Sequence, residues 1–169
     1  MKRILPTIVI SQFCCTSMWF ASNAIMPDII REFQLNPAFL ANLTSAVQFG
    51  FIIGTLIFAL FTISDRFSPS YVFFVCSLKA AVFNLAIVMD GIHPQAILIA
   101  RFFTGFFLAG IYPVGMKIAS DHYQKGLGKS LGFLVGALVL GTAFPHLLKS
   151  MTMNLQGKYV VYATNSLSV

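Results

Sequence analysis

Charged side chains are scarce in this sequence of 169 residues. Asp, Glu, Lys and Arg make up 9% of the chain, whereas a soluble domain carries about 25%. So few charges cannot cover a surface in contact with water, which excludes a soluble enzyme and a disordered tail. Acids are the rarer sign, five against eleven bases. The net charge of +6 therefore reflects missing acids, and it does not indicate a nucleic-acid partner.

Residues arranged for catalysis or metal binding are also lacking. The three cysteines lie inside apolar stretches at no spacing typical of a metal or redox site. The three histidines stand far apart, and there is neither a Gly-x-Ser-x-Gly motif nor a P-loop lysine. The sequence therefore predicts no enzyme activity, no bound metal and no cofactor.

Long apolar runs dominate what is present. Hydrophobic residues make up 57% of the chain, with 18 Phe. A helix needs about 20 residues to cross about 30 Å of hydrocarbon. Five runs are long enough, at about 4–26, 43–63, 71–89, 96–119 and 130–148. Short breaks with Pro or Gly separate them, so neighbouring helices should run antiparallel. We therefore predict an all-α protein with one transmembrane domain, residues 1–169, in a lipid bilayer.

The C-terminal end predicts a sixth helix only in part. The chain is polar over 149–158 and mildly apolar over 159–169. A helix as short as 159–169 measures about 16 Å, which is too short to span a membrane. This stretch is either a truncated sixth helix or a tail at the outer interface.

Basic residues outside the runs are unevenly distributed between the two sides. Three lie on one side (Arg31, Lys149 and Lys158), and six lie on the other, which includes the N-terminus: Lys2, Arg3, Arg66, Lys117, Lys125 and Lys129. Cytoplasmic loops carry an excess of Lys and Arg. The pattern predicts a cytoplasmic N-terminus, with a bacterial inner membrane as the expected location.

The second and fifth runs share a pattern. FGFIIGT at 49–55 is similar to GALVLGT at 136–142, and the spacing from Pro27 to Gly54 nearly equals that from Pro113 to Gly141. The match predicts that the first three helices repeat as the next three. Because three is odd, the second copy would be inverted, as in inverted-repeat transporters.

Two cations lie inside predicted spans, Lys79 near the middle of the third and Arg101 in the fourth, and no acid does. A charge at such depth costs at least about 2.5 kcal/mol and needs a reason. Both are candidates to meet an anionic solute or an acid from a second half or partner chain. Alternatively, Arg101 snorkels to the interface or pairs with Asp28 or Asp90, and Lys79 is neutral or faces a partner helix.

Uncharged polar residues within the runs either line a cavity or form interhelical hydrogen bonds. Those that we expect at a cavity beside Arg101 and Lys79 are Asn23, Gln48 and Tyr112. The wider set also includes Gln12, Trp19 and Asn84.

Small residues and prolines recur along the runs. Glycines four residues apart let helices approach closely in lipid, and a proline within a helix permits a kink. We predict close packing at Gly50, Gly54, Gly105, Gly110, Gly136 and Gly141, and kinks at Pro113 and Pro145.

Two stretches resemble motifs of the major facilitator superfamily of secondary transporters. SDRFSPS at 64–70 resembles its cytoplasmic Asp-Arg signature, and RFFTG at 101–105 with AGIYP at 109–113 resembles its fourth-helix Arg-x-x-x-Gly motif. The resemblance implies the N-terminal six-helix bundle of such a transporter, moving a small solute by alternating access. It also implies that Asp65 and Arg66 tune a cytoplasmic gate and that Arg101 lies in the transport half-cavity. The embedded cations favour an anion as the solute.

The resemblance covers nearly the whole chain but only the first of two six-helix halves. It therefore implies a truncated or split transporter that works with a second half or as a homodimer. The alternative is a non-transporting membrane interaction protein that binds partner helices through its glycine-lined faces.

Overall fold

The computed structural model describes residues 4–34, 36, 38–89, 92–151 and 158–168. Within these ranges the chain is helical and contains no strand, which confirms the predicted all-α fold. The helices are α1 (Ile4–Phe33), α2 (Phe39–Leu60), α3 (Ile63–Arg66), α4 (Pro69–Leu85, continued by a 3-10 turn Ala86–Val88), α5 (Pro94–Leu108), α6 (Tyr112–His122), α7 (Leu127–Met151) and α8 (Lys158–Ser168).

Five stretches are long and apolar enough to cross a membrane, as predicted: Ile4–Ile25, Phe39–Leu60, Pro69–Val88, Pro94–His122 and Leu127–Met151. Helices are the form expected here, because a helix satisfies its own backbone hydrogen bonds where no water can. Each of the last four begins a few residues before its predicted start. Pro69 and Pro94 stand in the first turns of α4 and α5, where the missing N–H breaks no hydrogen bond.

The first helix is longer than the sequence suggests. We expected a break from Pro27, but α1 continues to Phe33. Proline inside a helix removes one hydrogen bond without stopping the residues that follow from being helical. The membrane-spanning part of α1 nevertheless ends at Ile25, close to the predicted end, so the extension lies beyond the apolar stretch.

The fourth span is interrupted rather than kinked. α5 ends at Leu108, and α6 begins at Tyr112 with Pro113 in its first turn. The ring of Pro113 would clash with the carbonyl of Ala109 in a continuous helix. Gly110 lies in the interruption, and a Cβ there would overlap Cys76 and Phe58. Pro145 does lie inside an unbroken helix, α7, and is buried.

The first three spans pack on the last two spans and α8 in a symmetrical pattern. α1 packs mainly on α7 and α8, whereas α5 packs mainly on α2 and α4. The first helix of each three-helix unit therefore contacts the second and third helices of the other unit. This is the arrangement that the predicted inverted repeat would produce.

Glycines allow the closest of these contacts, between α2 and α5. A Cβ on Gly50 would overlap the carbonyl of Phe102, and one on Gly105 would overlap the carbonyl of Val47. Gly54 lies in the same crossing, where a Cβ would come within 2.5 Å of the Phe106 oxygen. Each of these glycines lets two backbones touch.

The glycines of α7 differ from one another. A Cβ on Gly141 would lie 3.0 Å from the carbonyl oxygen of Phe13 in α1, whereas one on Gly136 would meet nothing within 4 Å. The predicted close packing is therefore present at Gly141, the counterpart of Gly54, whereas the prediction for Gly136 is wrong.

The C-terminal segment forms part of the bundle. α8 packs on α1 and α4, and Val160, Val161, Thr164 and Asn165 are buried there. The short segment therefore occupies the position of a sixth helix.

Candidate functional site

A cavity of about 240 Å³ lies among α1, α2, α7 and the interruption between α5 and α6. Its walls are mostly aromatic and aliphatic, with a few uncharged polar groups. The lining residues are Gln12, Thr16, Trp19, Phe20, Phe51, Leu108, Ile111, Tyr112, Leu138 and Thr142. Of the candidates chosen from the sequence, Tyr112 lines this cavity, together with Gln12 and Trp19 from the wider polar set.

The interruption of the fourth span shapes one wall. Leu108, Ile111 and Tyr112, which lie where α5 ends and α6 begins, line the cavity there. Trp19 and Phe51 also line the cavity and pack against each other, with ring centroids 4.7 Å apart. The result is a site lined by flat apolar rings at the junction of four spans.

Gln12 is the most buried polar group of the cavity wall, with 1% of its surface exposed. Its Nε2 donates to Thr16 Oγ1 at 3.2 Å, and that hydroxyl donates to the Gln12 carbonyl oxygen at 2.7 Å. The Gln12 Oε1 atom has no hydrogen-bond partner in the described part of the chain. Gln12, one of the residues that line the cavity, therefore carries one acceptor that is buried and unsatisfied.

Arg101 is completely buried in α5 beside this cavity. Its Nη2 donates to the Trp19 carbonyl at 2.6 Å, and its Nη1 donates to Asn84 Oδ1 at 3.0 Å and toward the Met18 carbonyl at 3.5 Å. The planar fork of a guanidinium suits such divergent acceptors. Arg101 thereby joins α5 to α1 and α4, and it neither snorkels nor lines the cavity.

One alternative from the sequence paired Arg101 with Asp28 or Asp90. Asp90 and the side chain of Asp28 lie outside the described residues. Within the described ranges the acceptors of Arg101 are two backbone carbonyls and an amide, and its Nε has no partner.

The contacts of Arg101 continue to the sixth-helix position. Asn84 Nδ2 donates to Asn165 Oδ1 at 2.7 Å, and Asn165 Nδ2 donates to the carbonyl of Ala81 at 3.0 Å. Both asparagines are buried. A hydrogen-bonded chain therefore runs from α8 through α4 and α5 to the backbone of Trp19, whose ring lines the cavity.

Three other candidates lie elsewhere. Asn23 is partly buried, with its Oδ1 unpaired among the described residues, but it does not line the cavity. Gln48 and Lys79 are exposed on the outside of the bundle. The structure therefore brings neither embedded cation to the cavity wall.

The loop between the second and third spans contains an ion pair. Asp65 in α3 accepts a hydrogen bond from Lys117 Nζ in α6, and both side chains are partly exposed. Arg66 is exposed. From the sequence, Lys117 contributes only to the predicted membrane orientation, because residues so far apart along the chain give no local signal of pairing.

Comparison with known proteins agrees with this architecture. The family model described as Major Facilitator Superfamily matches residues 8–164, nearly the whole chain. The resemblance found in the loop at 64–70 and in the fourth span is thus confirmed. No curated protein and no solved structure matched the chain.

Proposed function

Because the chain belongs to the Major Facilitator Superfamily, we propose that it is one half of a secondary transporter that moves a small solute by alternating access. Membership in the family makes it an integral membrane transporter of the major facilitator type. The half-transporter arrangement, the bacterial inner membrane and the cytoplasmic N-terminus are the parts that we add.

The location of the cavity carries this proposal. α2 and α7 both border the cavity, yet they hardly contact each other, since each packs on a different inner helix. We infer a gap between them, so that no helix in the described part of the chain covers this side of the cavity. A second bundle over that gap would enclose a solute between two halves, as alternating access requires.

The surfaces that flank the gap suit such a cover. α2 and α7 expose large apolar side chains, among them Ile52, Leu56, Val139 and Leu140. We propose that a second half or a second copy of this chain packs there. The remaining exposed faces would meet lipid.

The charge of the solute is the next question, because the cavity wall carries no cation. The embedded cations favoured an anion, but Lys79 is exposed and the hydrogen bonds of Arg101 go to its own chain. Neither offers a positive charge at the cavity wall. In this proposal Arg101 shapes the cavity through the α1 backbone, while Asp65, Lys117 and Arg66 control its cytoplasmic side.

Crosslinking in native membranes tests the cover. Ile52→Cys on α2 and Val139→Cys on α7 should each crosslink to a second bundle, whereas the control Val82→Cys, exposed on α4, should not. The three native cysteines are buried and should not react. The co-purified assembly should then take up solute into proteoliposomes, and the lone chain should not.

A non-transporting interaction protein is the second candidate. It is favoured by the exposed apolar faces of α2 and α7 alone. A crosslinked partner without transporter helices, together with no uptake by the assembly, would support it against our proposal.

A further inference from the structure

We propose that the cavity binds an uncharged molecule with a flat apolar body and a hydrogen-bond donor, and that Gln12 Oε1 accepts from that donor. This inference rests on the proposed function in one respect, since it takes the cavity as the site of the transported solute. It adds the chemical class of that solute and the residue that recognises it.

The carboxamide of Gln12 has a bonded nitrogen and an unpaired acceptor oxygen. Its Nε2 is held by Thr16 Oγ1 one turn along α1, at 3.2 Å. Its Oε1 is buried and has no partner in the described ranges of the chain. Buried acceptors are nearly always satisfied, since an unpaired one is costly. A donor on a bound molecule would complete this group.

Gly115 of α6 gives the Oε1 atom its space. A Cβ built on Gly115 would lie 2.9 Å from Oε1, closer than it would lie to any atom outside its own stretch of helix. An alanine there would push the flexible carboxamide aside without altering its chemistry. Gly115→Ala is therefore a second way to remove the acceptor from its position.

The size and walls of the cavity specify the apolar body. A cavity of about 150 Å³ lined by apolar side chains holds benzene, so about 240 Å³ has room for a substituted ring. Trp19, Phe20, Phe51 and Tyr112 offer aromatic surfaces around it. Rings pack well on rings in offset or edge arrangements.

The charges around the cavity disfavour an ion. None of the residues that line it carries a charged side chain, and the nearby guanidinium of Arg101 donates to Trp19, Asn84 and Met18 instead. An anion would lose its hydration without gaining a counter-charge. The expectation of an anionic solute from the sequence is therefore replaced by an uncharged one.

Trp19 provides the measurement, because it is the only Trp in the chain and lines the cavity. The purified chain is titrated with 4-propylphenol, with 4-propylanisole, which lacks the donor, and with 4-propylbenzoate, which is an anion. We expect the phenol to bind about fivefold tighter than the anisole, the effect of one hydrogen bond of about 1 kcal/mol, and the benzoate to bind most weakly.

The variants locate the acceptor. Gln12→Met keeps the length of the side chain and removes the amide, so the preference for phenol over anisole should disappear. Gly115→Ala should also abolish it. The matched control Gln48→Met, at an exposed glutamine outside the cavity, should retain it. Comparing variants of one protein cancels the different partitioning of the probes into detergent.

Three results would overturn the inference: equal affinities for phenol and anisole in the native chain, a preference that survives in both Gln12→Met and Gly115→Ala, or benzoate as the tightest probe. None of these readings depends on uptake. An assembly that binds the phenol through Gln12 but moves no solute refutes the transport proposal alone. An assembly that transports but shows no phenol preference refutes this inference alone.

Discussion

The guanidinium of Arg101 donates a 2.6 Å hydrogen bond to the backbone carbonyl of Trp19. A completely buried cation in the fourth span is thereby fixed to the first span, at the residue whose ring forms a wall of the cavity. Because the same guanidinium also binds Asn84, the geometry of the cavity depends on three helices that meet at one side chain.

Replacing this arginine should therefore loosen α1. Arg101→Lys keeps the charge but loses the planar fork, so a single ammonium cannot serve both Trp19 and Asn84. We expect a loss of about 1–2 kcal/mol of stability and a shift in Trp19 emission. Unfolding in a denaturing detergent, followed by that emission, measures both. Arg66→Lys, the same change at an exposed arginine, is the control, and equal stability of the two variants would contradict the prediction.

Asn165 should influence the same region from the C-terminal helix. Asn165→Ala removes the acceptor of Asn84 and the donor to Ala81. We expect a cost of about 1 kcal/mol, within the range for buried hydrogen bonds in membrane proteins. Amide exchange should increase in α8, and Trp19 emission should move in the same direction as in the Arg101 variant. Ser166→Ala changes the neighbouring, exposed residue and is the control. Exchange that rises equally in both variants would argue against the hydrogen-bonded chain from α8 to Trp19.

The sequence predicted the spans well and the phase of the helices poorly. Span positions follow from apolar length alone. Which face of a helix points inward depends on a polar stripe, and the second and third spans carry only scattered polar residues. Gln48 and Lys79 were therefore placed at the cavity, although both are exposed.

The partners of Arg101 were hidden for another reason. Two of its acceptors are backbone carbonyls, which no residue type reveals. The hydrogen bond between Asn84 and Asn165 was missed because α8 is too short to be predicted as a membrane span. The ion pair between Asp65 and Lys117 was missed because the two residues are far apart along the chain and form no local sequence pattern. Gln12 was recognised as polar in an apolar run, but only the structure shows that its Oε1 is unpaired.

Glycines at the α2–α5 crossing should not tolerate a methyl group. In Gly50→Ala the new Cβ would overlap the Phe102 backbone, which cannot move aside as a side chain can. We expect a loss of about 2–3 kcal/mol or failure to fold. Gly136→Ala is the matched control, since a Cβ there meets nothing within 4 Å, and it should gain up to about 1 kcal/mol from helix propensity. Thermal unfolding in detergent compares the two, and similar melting temperatures would disprove the close crossing.

Lys79 lies on an exposed face of α4 with Leu78 and Val82. If lipid covers this face, the ammonium opposes insertion by about 2.5–3.5 kcal/mol at mid-span. We therefore expect Lys79→Leu to raise the inserted fraction and to leave the affinity of 4-propylphenol unchanged. Val82→Leu, an apolar exchange on the same face, should change neither. A fall in insertion or assembly would instead show that Lys79 meets an acid of a partner chain.

The ion pair between Asp65 and Lys117 should act on the gate rather than on stability. Both side chains are partly exposed, so the pair should be worth less than about 1 kcal/mol and should weaken in salt. Lys117→Gln frees α3 from α6, and we expect Thr142→Cys, a cavity position, to react faster with a water-soluble maleimide added from the cytoplasmic side. Lys125→Gln, which removes an exposed positive charge that is not part of the pair, is the control and should leave that rate unchanged. The swapped pair Asp65→Lys with Lys117→Asp should restore the slower rate, because the attraction is re-formed in the opposite sense. If the labelling rate of Thr142→Cys is the same in Lys117→Gln, in the control and in the swapped pair, the ion pair does not restrain the loop.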